Sequence, residues 1–423
     1  MEFIQDEAPR ELASLTRKLL TGKLTQERLR AAEGQGDGID RALWADLAGA
    51  GILSAALPEA LDGAGLGLLA QCCVLAEIGR AVAPVPYLAS IVLGAGALAR
   101  FGTPEQQERW AAPAGRGEVI LTAALAEEDG DDPRVPSVSA ERTKRDGEGG
   151  TWGAGWRLSG VKTTVFAASQ AGLILVPAAT PPDVTVFLVD PADDGVTVEP
   201  QRITGGTAGR VVLDGVLVPA ATPQGLAVFL VTPDDGGVVT EPQRLVDGDV
   251  AGRLELARVE LDDDRVLGSP AAGADINGWL VARGTVGLCA LQAGVLARAL
   301  GLTAEYAKTR VQFGRPIGSF QAVAQRLADA SIDVEAVRLT MWQAAWRLAA
   351  GLPAQTEVAT AKFWAADAGH RVAHTAVHVH GGVGIDTDHP LHRYFVAAKR
   401  AEFELGGATA QLRRIGEALA QAH

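Results

Sequence analysis

The spacing of apolar positions changes twice along the chain. Over the first 118 residues it is helical. Leu43, Trp44, Leu47, Ile52 and Leu53 form one patch ahead of a turn marked by Gly63, Gly65 and Gly67, and Leu68, Leu69, Val74, Leu75 and Ile78 mark a second helix behind it. Thr103-Pro104-Glu105-Gln106 offers a capping threonine, a proline at the first helical position and a glutamine at the third, which predicts a helix start before Arg109 and Trp110. An all-helical domain over 1–118 is expected.

From 119 to 270 the pattern is one of short β-branched runs broken by Gly, Pro and Asp. In the run from Trp156 to Val165, a turn at Gly160 is expected to join two strands. The segment also repeats itself. Leu175-Val176-Pro177-Ala178-Ala179-Thr180 recurs at Leu217–Thr222, Val186-Phe187-Leu188-Val189 at Val228–Val231, and Glu199-Pro200-Gln201-Arg202 at Glu241–Arg244, each 42 residues on. Two copies are too few for a solenoid. The reading is a tandem duplication, 175–216 and 217–259, that adds strands to a central β-barrel-like or sandwich domain.

Helical spacing returns from 271 to 423. Phe320, Val323, Leu327, Ala330, Val334 and Val337 alternate steps of three and four, the seam of a helix in an antiparallel four-helix bundle. The expected fold class is therefore multidomain α+β, in the order helices, strands, helices.

Length agrees, since 423 residues exceed what one core usually holds. A net charge of −13 argues against nucleic acid or anionic lipid as partner. Cys72, Cys73 and Cys289 fit neither a disulfide framework nor a metal spacing, so a reducing cytoplasm is expected, with the thiols buried. The acidic start lacks the features of a signal peptide. The uncharged stretch Ala81–Ala99 carries Pro84, Pro86, Gly94 and Gly96 and is not expected to span a membrane.

The run from Tyr306 to Gln321, Tyr-Ala-Lys-Thr-Arg-Val-Gln-Phe-Gly-Arg-Pro-Ile-Gly-Ser-Phe-Gln, closely resembles the hallmark of acyl-CoA dehydrogenases. Leu57-Pro58-Glu59, Glu77-Ile78-Gly79-Arg80, Phe101–Gln106 and His380-Gly381-Gly382-Val383-Gly384 are similar to the same family's pattern. Without one repeat copy the chain has a length usual in the family. Trp156–Gly160 and Glu199–Arg202 resemble actinobacterial members acting on steroid-derived or bulky acyl-CoA esters. The resemblance implies a flavoprotein in which a glutamate removes the α-proton of an acyl-CoA while the β-hydrogen leaves as hydride to FAD.

In most of the family that glutamate precedes the glycine of a Tyr-Glu-Gly turn near the C-terminus. The matching run here is Glu404-Leu405-Gly406-Gly407, so Gly406 stands where the base should be. The alternative family positions fall on Gly284 and Leu291, neither of which accepts a proton. Glu404 is the remaining candidate.

The family binds FAD across a subunit interface. For the adenosine side the resemblance implies Arg310 at the pyrophosphate, Phe313 and Gln321 near the adenine, and Gly381 and Gly382 for close backbone approach, with His378 in place of a usual glutamine. For the ring side, Leu125–Asp132 has lost the family's hydroxyls and gained acids, and Thr164-Val165-Phe166 replaces a Trp-x-Thr. Acids there would repel an anionic acyl-CoA and an electron-rich flavin. Read as a plain charge run, Glu127–Asp132 is instead a solvated turn.

Arg283 is offered either to CoA phosphates or to solvent. His370, His374 and His378 share a helical face, but without nearby Cys or an HExxH pattern they are read as lining the bundle near the cofactor groove, with no metal. The expected function is one subunit of a heteromeric acyl-CoA dehydrogenase, paired with a sister chain that holds the flavin ring and the base. Two alternatives stay open: a homo-oligomeric dehydrogenase using Glu404, and a catalytically silent acyl-CoA- and FAD-binding scaffold.

Overall fold

The computed structural model describes residues 7–34, 38–127, 132–145, 153–180, 184–191, 196–203, 206–210, 226–232, 243–244 and 250–421. The helices are α1 (Glu7–Lys23), α2 (Gln26–Gly34), α3 (Arg41–Gly49), α4 (Gly67–Ala81), α5 (Gly96–Phe101), α6 (Pro104–Gln106), α7 (Ala112–Gly115), α8 (Gly273–Thr309), α9 (Gln321–Ala349), α10 (Gln355–His380), α11 (Leu391–Phe403) and α12 (Ala408–Gln421). The strands are β1 (Ile120–Ala123), β2 (Ser139–Arg145), β3 (Gly153–Phe166), β4 (Ala171–Ala179), β5 (Val184–Pro191), β6 (Val196–Ile203), β7 (Gly206–Arg210), β8 (Leu226–Thr232), β9 (Gln243–Arg244), β10 (Val250–Asp262), β11 (Val266–Leu267), β12 (Val311–Gln312) and β13 (Arg315–Pro316). The backbone divides into two compact units, one of residues 1–31, 66–85 and 285–423, the other of residues 32–65 and 86–284.

The second unit holds one sheet in the order β11-β5-β8-β4-β2-β3-β10-β6-β7, with β1 on β4 and β9 on β10. Its helices begin where the sequence signals them. Asp40 caps α3 by accepting from the Leu43 N–H (2.8 Å), and Thr103 and Gln106 form a reciprocal capping box. The expected turn at Gly160 is not there. β3 runs unbroken through it and pairs with β10 from Gly155 to Phe166. A Cβ at Gly160 would lie 2.5 Å from the Val138 Cα, so the glycine admits a close crossing of the chain instead of turning a strand.

The repeat is visible as strand pairing. β5 and β8, which carry the two copies of Val-Phe-Leu-Val, lie side by side in parallel, with Val189 opposite Leu230. β8 also pairs antiparallel with β4. β6 and β9, which hold the two Gln-Arg copies, both pair with β10. Residues 217–222 and 241–242 of the second copy lie outside the described residues.

In the first unit α4 and α8 touch backbone to backbone. A Cβ at Gly79 would sit 2.1 Å from the Leu291 carbonyl oxygen, and one at Gly294 would sit 1.9 Å from that of Ala76. Of the expected seam on α9, Ala330 and Val337 are buried while Phe320, Val323, Leu327 and Val334 are half-buried. The three cysteines are buried thiols with no disulfide between them. Ala81–Ala99 is not one helix, because Val82 ends α4 at φ 44° and helix resumes at Leu88. Among the described residues α8 is long and apolar enough to cross a membrane, and 78% of its apolar window is buried.

Candidate functional site

Six of the residues singled out in the sequence lie on the two chain stretches, after α8 and at the end of α10, that a Tyr306–His380 ring contact joins. Past α8, the exposed Arg310 donates its N–H to the Tyr306 carbonyl, and its own carbonyl accepts from the Ile317 N–H, both at 2.8 Å. Between these bonds β12 and β13 form a two-residue hairpin with Phe313 and Gly314 at its tip, at φ 52° and 78°. Such turns need two left-handed residues, and the Phe-Gly pair supplies them at some strain in the phenylalanine. Phe313 is 92% exposed and meets Phe320 edge-on at 6.0 Å, while Arg315 covers Phe320 at 4.2 Å.

Gln321 opens α9 and is exposed. His378 is exposed on the last turn of α10, and Gly381 caps that helix at φ 62°. Ala322, Gln325 and Arg326 of α9 face Val377 and His378 of α10 across a groove of about 1040 Å³. A Cβ on Gly381 or Gly382 would meet nothing within 4 Å, so the backbone there is open to a ligand.

One residue of this end was legible in the sequence only as part of a motif. His380 is 4% exposed, and its ring stacks on Tyr306 at 4.3 Å with 22° between planes. Its Nδ1 lies 2.8 Å from the Ala376 carbonyl, which only accepts, so Nδ1 carries a proton. Burial holds its pKa below the ordinary histidine value, which favours the neutral ring.

The segment around Gly406, where the resemblance leads one to expect the base, lies elsewhere. Lys362 sits sixteen residues before His378 on α10, roughly 24 Å along a helix. Its fully buried Nζ donates to the carbonyls of Ala401 (3.0 Å) and Glu402 (3.1 Å) at the end of α11. Burial lowers its pKa to about 8. Beyond that helix end, Leu405 and Gly406 are left-handed, at φ 58° and 94°, and Gln411 Nε2 donates to both of their carbonyls at 3.1 Å. The terminal carbonyls of the helix and the turn are thus held by two side chains. Glu404 is largely buried and lies 3.5 Å from Arg400 Nε, with Lys362 contributing a further positive field.

The ring-side segment corrects the reading of Glu127 as solvated. Its side chain is 4% exposed and takes a hydrogen bond from Lys162 Nζ at 2.6 Å, the lysine being fully buried. Ser137 donates to the same carboxylate through its N–H and its Oγ, and Val138 through its N–H. Burial works against both charges and draws the Lys162 ammonium below the ordinary lysine range. For Glu127 that burial is outweighed by Lys162 and Ser137, and its carboxyl lies below the usual carboxylate range. Its charge is therefore matched inside the protein and does not repel a ligand as an acidic loop would. Asp132 pairs with Arg134, and residues 128–131 lie outside the described residues.

Arg283 stacks on Trp279 at 4.4 Å, with Phe101 edge-on to the same indole at 5.6 Å. His370 and His374 are neighbours at 4.3 Å, and His378 lines the same groove. The Lys399 ammonium lies 3.0 Å from His370 Nδ1 and bonds Glu402, the point where a cation bridging His370 and Glu402 would sit. Among the described residues no group of three or more His, Cys, Asp or Glu is arranged to hold a metal ion.

Helices, then a curled sheet, then a helical bundle carrying the Arg-x-x-Phe-Gly hairpin make up the fold of acyl-CoA dehydrogenases. The chain belongs to the acyl-CoA dehydrogenase family, whose N-terminal domain model matches residues 6–118 and whose C-terminal domain model matches residues 272–420. Acyl-CoA dehydrogenase FadE27 of Mycobacterium tuberculosis is 46% identical, over 100% of this chain and 99% of its own. FadE28 of the same organism is 31% identical, over 88% and 91%. Among solved structures, a chain of the ChsE4-ChsE5 complex from Mycobacterium tuberculosis superimposes with a TM-score of 0.82 at 46% identity, covering 100% of this chain and 99% of that one. A chain from a variant of the Tcur3481-Tcur3483 steroid ACAD does so with 0.81 at 37%, covering 98% of each.

Proposed function

We propose that the chain is one subunit of a heteromeric acyl-CoA dehydrogenase that desaturates a bulky, steroid-derived acyl-CoA thioester between Cα and Cβ. In this reading FAD spans the interface with a sister chain, which holds the ring and supplies the base, while this chain lends the adenosine side. The observation that carries the reading is the contrast between its two halves: the adenosine-side residues sit on the two stretches joined by the Tyr306–His380 contact, while position 406 offers a left-handed glycine with no proton acceptor.

The groove suits the adenosine half of the cofactor on its own terms. Arg310 presents an exposed cation to a pyrophosphate, the open backbone at Gly381 and Gly382 permits close approach, and Phe313 offers an exposed aromatic face at the hairpin tip. Bound FAD supplies the hydride acceptor. The similarity to chains from two complexes, ChsE4-ChsE5 and Tcur3481-Tcur3483, supports the heteromer, and the steroid designation of the second supports the substrate class. Glu404 is weakened as a candidate base because its carboxylate is engaged by Arg400 Nε at 3.5 Å. We also keep 118 and 270 as the boundaries of three domains, the middle one carrying the duplication.

The test is the visible absorption of the purified chain after excess FAD is added and free FAD removed. The chain alone should be colourless, and co-expression with its sister chain should give bound flavin and acyl-CoA-dependent turnover. Stoichiometric flavin and turnover in the chain alone would overturn the reading. A complex that binds acyl-CoA and flavin without turnover would favour the silent scaffold.

A further inference from the structure

We infer that Tyr306 and His380 are positioning residues that lock together the two stretches of chain forming the adenosine-side groove; the inference rests on the function proposed above. Those stretches are far apart in sequence. One runs from the end of α8 through its hairpin to the start of α9, carrying Arg310, Phe313 and Gln321; the other is the end of α10, carrying His378, Gly381 and Gly382. The Tyr306–His380 stack is a ring contact between them, four residues before Arg310 and one before Gly381.

Three features fit the pair to this task. The rings are nearly parallel at 4.3 Å, so each constrains the other's plane. The His380 ring is fixed in rotation by its Nδ1–H bond to Ala376 and flanked on another side by His389 at 5.2 Å. Finally, Gly384 packs against the same turn, where a Cβ would lie 2.9 Å from the Val377 Cα and 3.2 Å from the His380 Cβ, so the segment after the histidine is wrapped tightly back on α10. A shift of the stack therefore moves the open glycines relative to Arg310. Neither ring needs to touch the cofactor.

The experiment uses the complex co-expressed with the sister chain, stripped of flavin and titrated with FAD while flavin fluorescence is followed. Tyr306→Leu should weaken FAD binding about three- to ten-fold, the range an aromatic pair contributes beyond its area. His380→Leu should do the same from the other side. Tyr306→Phe keeps the stack and should bind as the unmodified complex does, and turnover at saturating FAD should be unchanged in all three. If Tyr306→Leu and His380→Leu bind FAD like Tyr306→Phe, the positioning role is overturned. Arg310→Ala separates the two levels: unchanged affinity there would overturn the groove assignment itself, whereas weakened affinity there with unchanged affinity in the leucine variants would remove the positioning role alone.

Discussion

Installing a glutamate at position 406 should not make this chain a self-sufficient dehydrogenase. Gly406 has φ 94°, and a Cβ built on it meets Gln411 Nε2 at 3.0 Å and the Ala410 Cβ at 3.2 Å, so a side chain there starts toward α12. The conformation itself costs an L-residue about 1–2 kcal/mol. Moving Gln411 threatens its two bonds to the Leu405 and Gly406 carbonyls, each contributing roughly 0.5–1.5 kcal/mol. Gly406→Glu should thus destabilise the bundle by about 2–5 kcal/mol, and Gly406→Ala, which shares the backbone and Cβ terms, by nearly as much. Differential scanning fluorimetry should show a midpoint lowered by about 4–10 °C in both. Anaerobic mixing with acyl-CoA and FAD should show no flavin bleaching in the chain alone. A Gly406→Glu chain with an unchanged midpoint and acyl-CoA-dependent bleaching would refute the reasoning.

Lys162→Met strands a buried carboxylate and should cost about 3–5 kcal/mol in chemical denaturation, with Glu127→Gln/Lys162→Met costing less than the single change. Because the folded Glu127 carboxyl lies below its ordinary range, its stabilisation is present at neutral pH and lost as pH falls through the folded value, so acid unfolding should begin at a higher pH once Lys162 is gone. Lys362 behaves oppositely along the scale. Its folded pKa of about 8 is below the unfolded one, so the protein should gain stability relative to Lys362→Met as pH rises from about 8 toward the ordinary lysine range, the neutral amine still having N–H groups for Ala401 and Glu402. Denaturant midpoints of both proteins across that range check it.

Local signals were legible where cause and effect lie close in sequence. The Thr103–Gln106 capping box is dictated by its own residues and formed as read. Gly160 misled because glycine marks a turn and a close crossing with the same letter, and only Val138, twenty-two residues earlier, decides between them. Glu127 misled for a similar reason: its neighbours in sequence are acidic, but its partner in space is Lys162. That a glycine stands at 406, where the family resemblance leads one to expect a glutamate, was legible in the sequence. That the backbone itself has become left-handed there was not, since a Gly-Gly pair tolerates many conformations.

The parallel pairing of β5 with β8 makes the sheet redundant. The strands carry the same Val-Phe-Leu-Val run, and β8 holds the place beside β4 while β5 lies one strand further out. Whichever copy is kept, a strand with that run remains to close on β4. Excising residues 175–216 should therefore remove β5, β6 and β7 and still leave β8, with the same run, to pair beside β4, and the two copies are free to diverge, since either can fill that position by itself.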